Sequence, residues 1–218
     1  MSEANGEPAA PERLPLFHEE TRSRRRRGCS GVAGVVIFAA AFGGIAGLIG
    51  GQVAGLVVAG VIALPLLYLL AYNLRRRVWL EGTVLLVRTW GIRRVDLVTA
   101  ERLDLVISDV RGTRTVSLLV NAGQRRKVAK VDLALFSGAG GRELGVLQLR
   151  RLANALMNNT EANGLVFSEL LVAELKAEAR GDAVADRPLY RLASAAPSGK
   201  YVQRFTMEAV SRFVATLD

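Results

Sequence analysis

Residues 28–73 read GCSGVAGVVIFAAAFGGIAGLIGGQVAGLVVAGVIALPLLYLLAYN, and none of them is charged. Arg27 closes the run on one side and Arg75 on the other. One straight helix over residues 31–73 would be about 64 Å long at roughly 1.5 Å per residue. The hydrocarbon core of a bilayer is only about 30 Å thick, so that length suits two crossings. The chain is least apolar and most flexible at Gly50, Gly51 and Gln52, where the break is expected. The spacing therefore predicts a transmembrane helical hairpin over residues 28–74, with spans at 31–49 and 53–72. A cleaved signal peptide is the rival for the first span, but a second apolar run follows at once where a polar mature region should begin. Cys29 follows arginines rather than an apolar stretch, which argues against a lipid-attachment site. A soluble buried hairpin would need a large protein around it.

Arginine placement sets the expected orientation. Arg22, Arg24, Arg25, Arg26 and Arg27 precede the apolar run, Arg75, Arg76 and Arg77 follow it, and the connecting turn has no charge. Positive flanks resist translocation, so both termini are expected in the cytoplasm and the protein in the plasma membrane as a multi-pass protein. The same arginines would meet headgroups, each worth about 1 kcal/mol at an anionic surface. Tyr68, Tyr72 and Trp79 fall where amphipathic rings favour the interface. Small residues recur every fourth position at Ala39, Gly43, Gly47, Gly51, Gly55 and Ala59. Such spacing lets helix backbones approach closely. Gly43, Gly47 and Gly55 are expected to pack the two spans on each other, with homodimerisation through the spans as the alternative.

Outward from the anchor, composition narrows the function. The 218 residues suffice for one ordinary domain besides the spans. The net charge of +9 comes almost wholly from 25 Arg against 4 Lys. That bias, with abundant Ala, Gly, Val and Leu, is what a GC-rich bacterial genome tends to produce. The excess charge flanks the spans, where topology accounts for it, so no nucleic-acid partner is expected. One cysteine, Cys29, allows no internal disulfide, and one histidine, His18, leaves no basis for a Cys/His metal site. Residues 1–20 hold five Glu and three Pro among few large apolar residues. They are read, with the basic end to residue 27, as a disordered cytoplasmic tail.

After Arg77 the pattern becomes short β-like runs broken by turn signals: 78–81, 83–90, 93–98, 103–110, 115–120 and 127–133. Alternation is clearest where Leu103, Leu105 and Ile107 face away from Asp104, Val106 and Ser108. Several short strands at roughly 8–12-residue spacing suggest a small barrel or sandwich. A Gly-rich break at 137–141 leads to a helix over 143–157, with Val146, Leu149, Leu152, Ala153 and Leu156 on one face and Arg150 and Arg151 off it. Residues 159–218 read as a helical extension. A helix over 168–180 ends at the capping Gly181, a linker with Pro188 and Pro197 spans 182–199, and an amphipathic helix covers 201–217. The fold class is thus a membrane α-helical hairpin joined to an α+β domain.

This order resembles uncharacterised bacterial two-span membrane proteins carrying a PH-like domain. The stretch from Trp79 through Glu81, Gly82 and Thr83 to Arg88, then Arg93 to Leu97, is similar to the opening strands of such domains. The resemblance covers residues 30–158. It implies a PH-like partly open β-barrel or meander at 75–158, closed by an amphipathic helix, with binding as its general role. It also implies a basic loop as the ligand site. The matching residues are Arg88, Arg93 and Arg94, beside Trp90, which suit a phosphate or headgroup edge. Arg125, Arg126, Lys127 and Lys130 make a second basic group.

No nucleophile elbow, P-loop or dinucleotide fingerprint is present. No histidine lies after the anchor, which removes histidine acid–base chemistry there. Glu81, Asp96, Glu101, Asp104, Asp109 and Asp132 are scattered singly. The spans hold no ionisable residue, which argues against a transporter. The expectation is a non-enzymatic protein without cofactor or metal, presenting a binding or scaffolding surface to lipid or protein at the inner face. An accessory subunit of a larger membrane enzyme or transport complex is the alternative.

Overall fold

The computed structural model describes residues 13–16, 21–123, 128–138, 140–197 and 201–217, without the side chains of 21–29 and 73. It is an α+β protein with two antiparallel sheets and, among the described residues, five α-helices, the first long and apolar. Contacts divide the chain into two units. One holds residues 19–76 with 88–91, and the other holds 1–18, 77–87 and 92–218.

The first unit is dominated by α1 (Thr21–Arg75), whose stretch Ser30–Tyr72 is long and apolar enough to cross a membrane. One residue leaves the helical region: Gly51, at φ 85° and ψ 171°. A left-handed φ strains any residue with a Cβ, and the break falls inside the flexible Gly50–Gln52 stretch. Across the break, residues far apart in sequence meet. A Cβ at Gly31 would stand 3.0 Å from Leu70 Cδ1, and one at Gly43 would stand 2.8 Å from the Gly55 carbonyl oxygen. On a straight helix Gly31 and Leu70 would be about 58 Å apart, so the two halves lie side by side. Their outer surface is apolar: Leu48 is 90% exposed, Ile49 86% and Val53 76%. An apolar surface of that extent needs a cover other than water.

The second unit is built on two sheets. The strands β1 (Leu14–Pro15), β2 (Arg77–Glu81), β3 (Val84–Arg88) and β4 (Ile92–Asp96) lie in that order in a four-stranded sheet. The other sheet has the order β8-β7-β6-β5-β9, from β5 (Arg102–Val110), β6 (Thr113–Asn121), β7 (Val128–Ser137), β8 (Gly140–Glu143) and β9 (Val202–Phe205). The β5–β6 turn is two residues, Arg111 and Gly112, both at positive φ, between the paired Val110 and Thr113. Such turns match the twist of the flanking strands. The Asp109 carboxylate accepts the Gly112 N–H at 3.2 Å. Leu80, Leu85, Val95, Leu105, Leu118 and Leu133 form the shared core. α2 (Val146–Met157) buries Leu149, Leu152 and Leu156, and α3 (Gly164–Arg180) packs on α2. Gly164 makes that packing close, because a Cβ there would collide with the Leu156 carbonyl oxygen.

Several boundaries differ from the sequence reading. Residues 13–16 are not a disordered tail. β1 pairs Leu14 with Leu80 and Pro15 with Trp79, and Leu14 and Leu16 are buried. Two leucines two positions apart share one face of an extended chain, enough to extend the core at its edge. Residues 1–12 and 17–20 lie outside the described residues. The last meander strand continues to Ser137, and the Gly-rich break runs into β8, whose Gly141 presses on the Phe136 ring. α2 begins at Val146 rather than residue 143, and α3 at Gly164 rather than 168. The linker holds α4 (Pro188–Ala195), with Pro188 at its first position, where a missing N–H costs nothing. The last helix is interrupted: residues 202–205 pair with β5 as β9, and only α5 (Met207–Val214) is helical.

Candidate functional site

Three side chains meet within the unit that contains α1. The Tyr68 and Trp90 rings stack, with centroids 5.6 Å apart and planes 9° from parallel. The Arg75 guanidinium carbon lies 4.7 Å from the Trp90 ring centre. Tyr68 and Arg75 are seven residues apart, on one face of α1 and about 10.5 Å apart along its axis. The indole fills that interval, giving it one aromatic and one cationic neighbour. The turn that carries it is tight: the Thr89 N–H donates to the Gly91 carbonyl at 3.0 Å. Trp90 is still 54% exposed.

The loop arginines expected from the sequence stand on two strands. Arg88 ends β3, on the face opposite the buried Leu85 and Val87. On β4 the buried Val95 marks the core face. Alternation carries Arg93 to that side and Arg94 with the exposed Ile92 to the other. Both arginines are exposed, but they diverge. A turn reading drawn from sequence could not see this, because it treats adjacent residues as neighbours in space. Arg75 and Arg77 are exposed and Arg76 half-buried. Arg24, Arg25, Arg26 and Arg27 are helical in backbone, with side chains outside the described residues; Arg125, Arg126 and Lys127 lie wholly outside them.

The glycines singled out in α1 come together. Gly55 faces Gly43 and Gly47, where an added Cβ would lie 2.6 Å from the Gly43 oxygen and 2.9 Å from the Gly47 Cα. Gly43 also faces Ala59.

Among the acidic residues, the pair that meets is not one of the six noted in the sequence. Glu174 on α3 is fully buried, and its Oε2 accepts the Leu189 N–H at 2.8 Å. Glu143 at the end of β8 accepts from Arg187 Nη1 at 2.6 Å and lies close enough to Glu174 for its charge to act on it. Burial, less the help of the Leu189 N–H and with Glu143 adding to it, pushes Glu174 up to about 8. Nothing in sequence spacing marks a pair that lies 31 positions apart. Asp104, by contrast, is buried between Arg102 at 3.0 Å and Arg204 at 3.7 Å.

No family model, curated protein or solved structure matches this chain. Among the described residues no group of three or more His, Cys, Asp or Glu is placed to hold a metal ion. A groove of about 350 Å³ is lined by Met157, Leu165, Val172, Val214 and Leu217, with Glu169 and Lys176 among its polar residues.

Proposed function

We propose that the protein is a membrane-tethered, non-catalytic binding or scaffolding protein. A two-span hairpin holds a PH-like domain at the cytoplasmic face of the plasma membrane, with both termini inside. The observation that carries this reading is the pairing of β1 with β2. The Leu16 N–H donates to the Val78 carbonyl at 2.9 Å, so the chain leaves the sheet just before α1 and rejoins it just after. Backbone hydrogen bonds cannot reach across a ~30 Å hydrocarbon core, which favours an even number of crossings. The break at Gly51 divides the apolar stretch into two lengths of about 20 residues, each enough for one crossing. The flanking arginines favour the cytoplasm for both ends. Trp90, set between Tyr68 and Arg75, supports a headgroup-level position for the β3–β4 turn, with Arg88 two residues away.

Single-cysteine labelling in a Cys29→Ser background tests the topology. Gln52→Cys is expected to react with an impermeant maleimide added to intact cells, and Ser137→Cys only after lysis. External labelling at Ser137, or protection at Gln52 in both conditions, overturns the hairpin with both ends inside. The groove on α3 favours a second reading, an accessory subunit of a larger membrane complex. Purification in mild detergent separates the two: a stoichiometric partner favours the subunit.

A further inference from the structure

α4 is held by an unusual cap. Its N-cap residue, Arg187, makes no side-chain cap bond, and the carboxylate of Glu174 on α3 takes the Leu189 N–H instead. Around that contact three carboxylates share one guanidinium. Glu143 binds Arg187, Glu178 acts on Arg187 electrostatically, and Glu174 feels both Glu143 and Arg187. Among the described residues, Glu143 on β8 and Arg187 before α4 are the charged groups that act on Glu174 itself, while Glu178, also on α3, acts on Arg187. Three of their oxygens, Glu143 Oε1, Glu174 Oε1 and Glu178 Oε2, are buried without a hydrogen-bond partner. A buried acceptor without a donor costs about 1–3 kcal/mol, and more when charged. Two facing carboxylate oxygens can be satisfied together by a single proton.

We infer that α4 is a proton-dependent clasp: Glu174 is a neutral acid whose Oε1–H donates to Glu143 Oε1 while its Oε2 caps α4, and loss of that proton frees α4 from the domain. Release would uncover Leu189, Leu192 and Ala193, all buried in the core, together with the edge-on contact of Tyr190 with Phe136. It would also break the bond from Arg114 Nη1 to the Ala193 carbonyl. The sign follows from proton counting. Freed, the Glu174 carboxyl returns to its ordinary value near 4.5; docked, it titrates at about 8. Between those values the docked form holds one proton more, so rising pH favours release. Above about 8 both forms are ionised and the effect levels off.

Hydrogen exchange of the full chain in nanodiscs tests this, with rates corrected for intrinsic base catalysis. In the native protein the opening of α4 amides, relative to those of β6, should grow by up to about tenfold per pH unit from 6 to 8 and flatten above. Glu174→Gln supplies an amide hydrogen to Glu143 in place of the proton and should leave α4 equally protected throughout. Glu143→Gln does the same from the other side, its oxygen still accepting from Arg187, and serves if the first variant does not fold. Flat α4 protection in the native protein, or an undiminished pH response in whichever variants fold, overturns the clasp.

Discussion

The Tyr68 and Trp90 rings lie 5.6 Å apart and nearly parallel, joining the end of an apolar helix to the tip of a β turn. If residues 53–72 span a bilayer, Tyr68 stands one turn inside its end. Arg75 stands where charge must find water or headgroups. An indole set between them shares that level. An aromatic pair contributes about 0.5–1.5 kcal/mol beyond burial, and a cation–π contact about 0.5–1 kcal/mol at an exposed site.

Trp90 should therefore report the interface directly. The chain has two tryptophans, and Trp79→Phe leaves Trp90 as the sole emitter. In nanodiscs, Trp90 emission should be quenched by lipids brominated near the glycerol and less by lipids brominated near the chain ends. Tyr68→Ala should weaken the shallow quenching. Emission unaffected by either lipid would place the turn away from the bilayer.

The β1 strap makes a prediction about stability. Leu14 and Leu16 are each at least 94% buried, at the edge of the four-stranded sheet. Truncating a buried leucine to alanine costs about 2–5 kcal/mol where the surroundings cannot collapse. Leu16→Ala should thus lower the denaturation midpoint of the full chain clearly. Arg13→Ala should shift it little, because its 2.9 Å pair with Glu81 is exposed on the arginine side and such pairs contribute about 1 kcal/mol or less. The same strap means that a soluble fragment starting at residue 78 lacks part of its core.

Asn159 is a buried polar residue that links two connections of the domain. Its Nδ2 donates to the carbonyls of Leu97 at 2.7 Å and Ala100 at 2.9 Å, and its Oδ1 accepts from the Ala162 N–H. One amide ties the α2–α3 connection to the β4–β5 connection. Replacing it with alanine takes this partner from two buried carbonyls and one half-buried N–H, and a buried group left unsatisfied costs about 1–3 kcal/mol. Asn159→Ala should lower the unfolding midpoint by more than Asn158→Ala. The latter loses only an exposed bond to the Asn154 carbonyl. Equal midpoints would contradict this account.

Where the sequence was legible, one period ran uninterrupted. The apolar run, its Gly51 break, strands β2 to β6 and the buried face of α2, apart from the exposed Val146, all follow from charge absence, alternation or helical spacing. What escaped depended on partners distant in the chain. Leu14 and Leu16 become core only because β2 lies beside them. Val202 to Phe205 match a helical face, yet pair with β5 as a strand, since tertiary hydrogen bonds outweigh a four-residue preference. α4 was hidden by its proline, which suits a helix start as well as a linker. The Trp90 contact is half visible in the sequence, which offers Tyr68 and Arg75 near the end of the apolar run but not the side chain that joins them. Arg93 and Arg94 look like one patch in the sequence because adjacency conceals the alternation of a strand.

The glycines of α1 allow the last prediction, which separates packing within the chain from pairing between chains. A Cβ at Gly55 would stand 2.6 Å from a backbone oxygen of Gly43 and 2.9 Å from the Gly47 Cα, and backbone cannot step aside as a side chain can. Gly60, on the same half of α1, has nothing within 4 Å of its Cβ position. Gly55→Leu should therefore push the two halves apart, whereas Gly60→Leu should be tolerated. Spin labels at Ala40→Cys and Leu64→Cys in the Cys29→Ser background would read their separation. A wider distance with Gly55→Leu and none with Gly60→Leu is the expected outcome. If Gly60→Leu instead abolished a dimer seen by crosslinking while Gly55→Leu changed no distance, the small residues would serve a second copy, and the close approach of Gly43 and Gly55 would not be what holds the halves together.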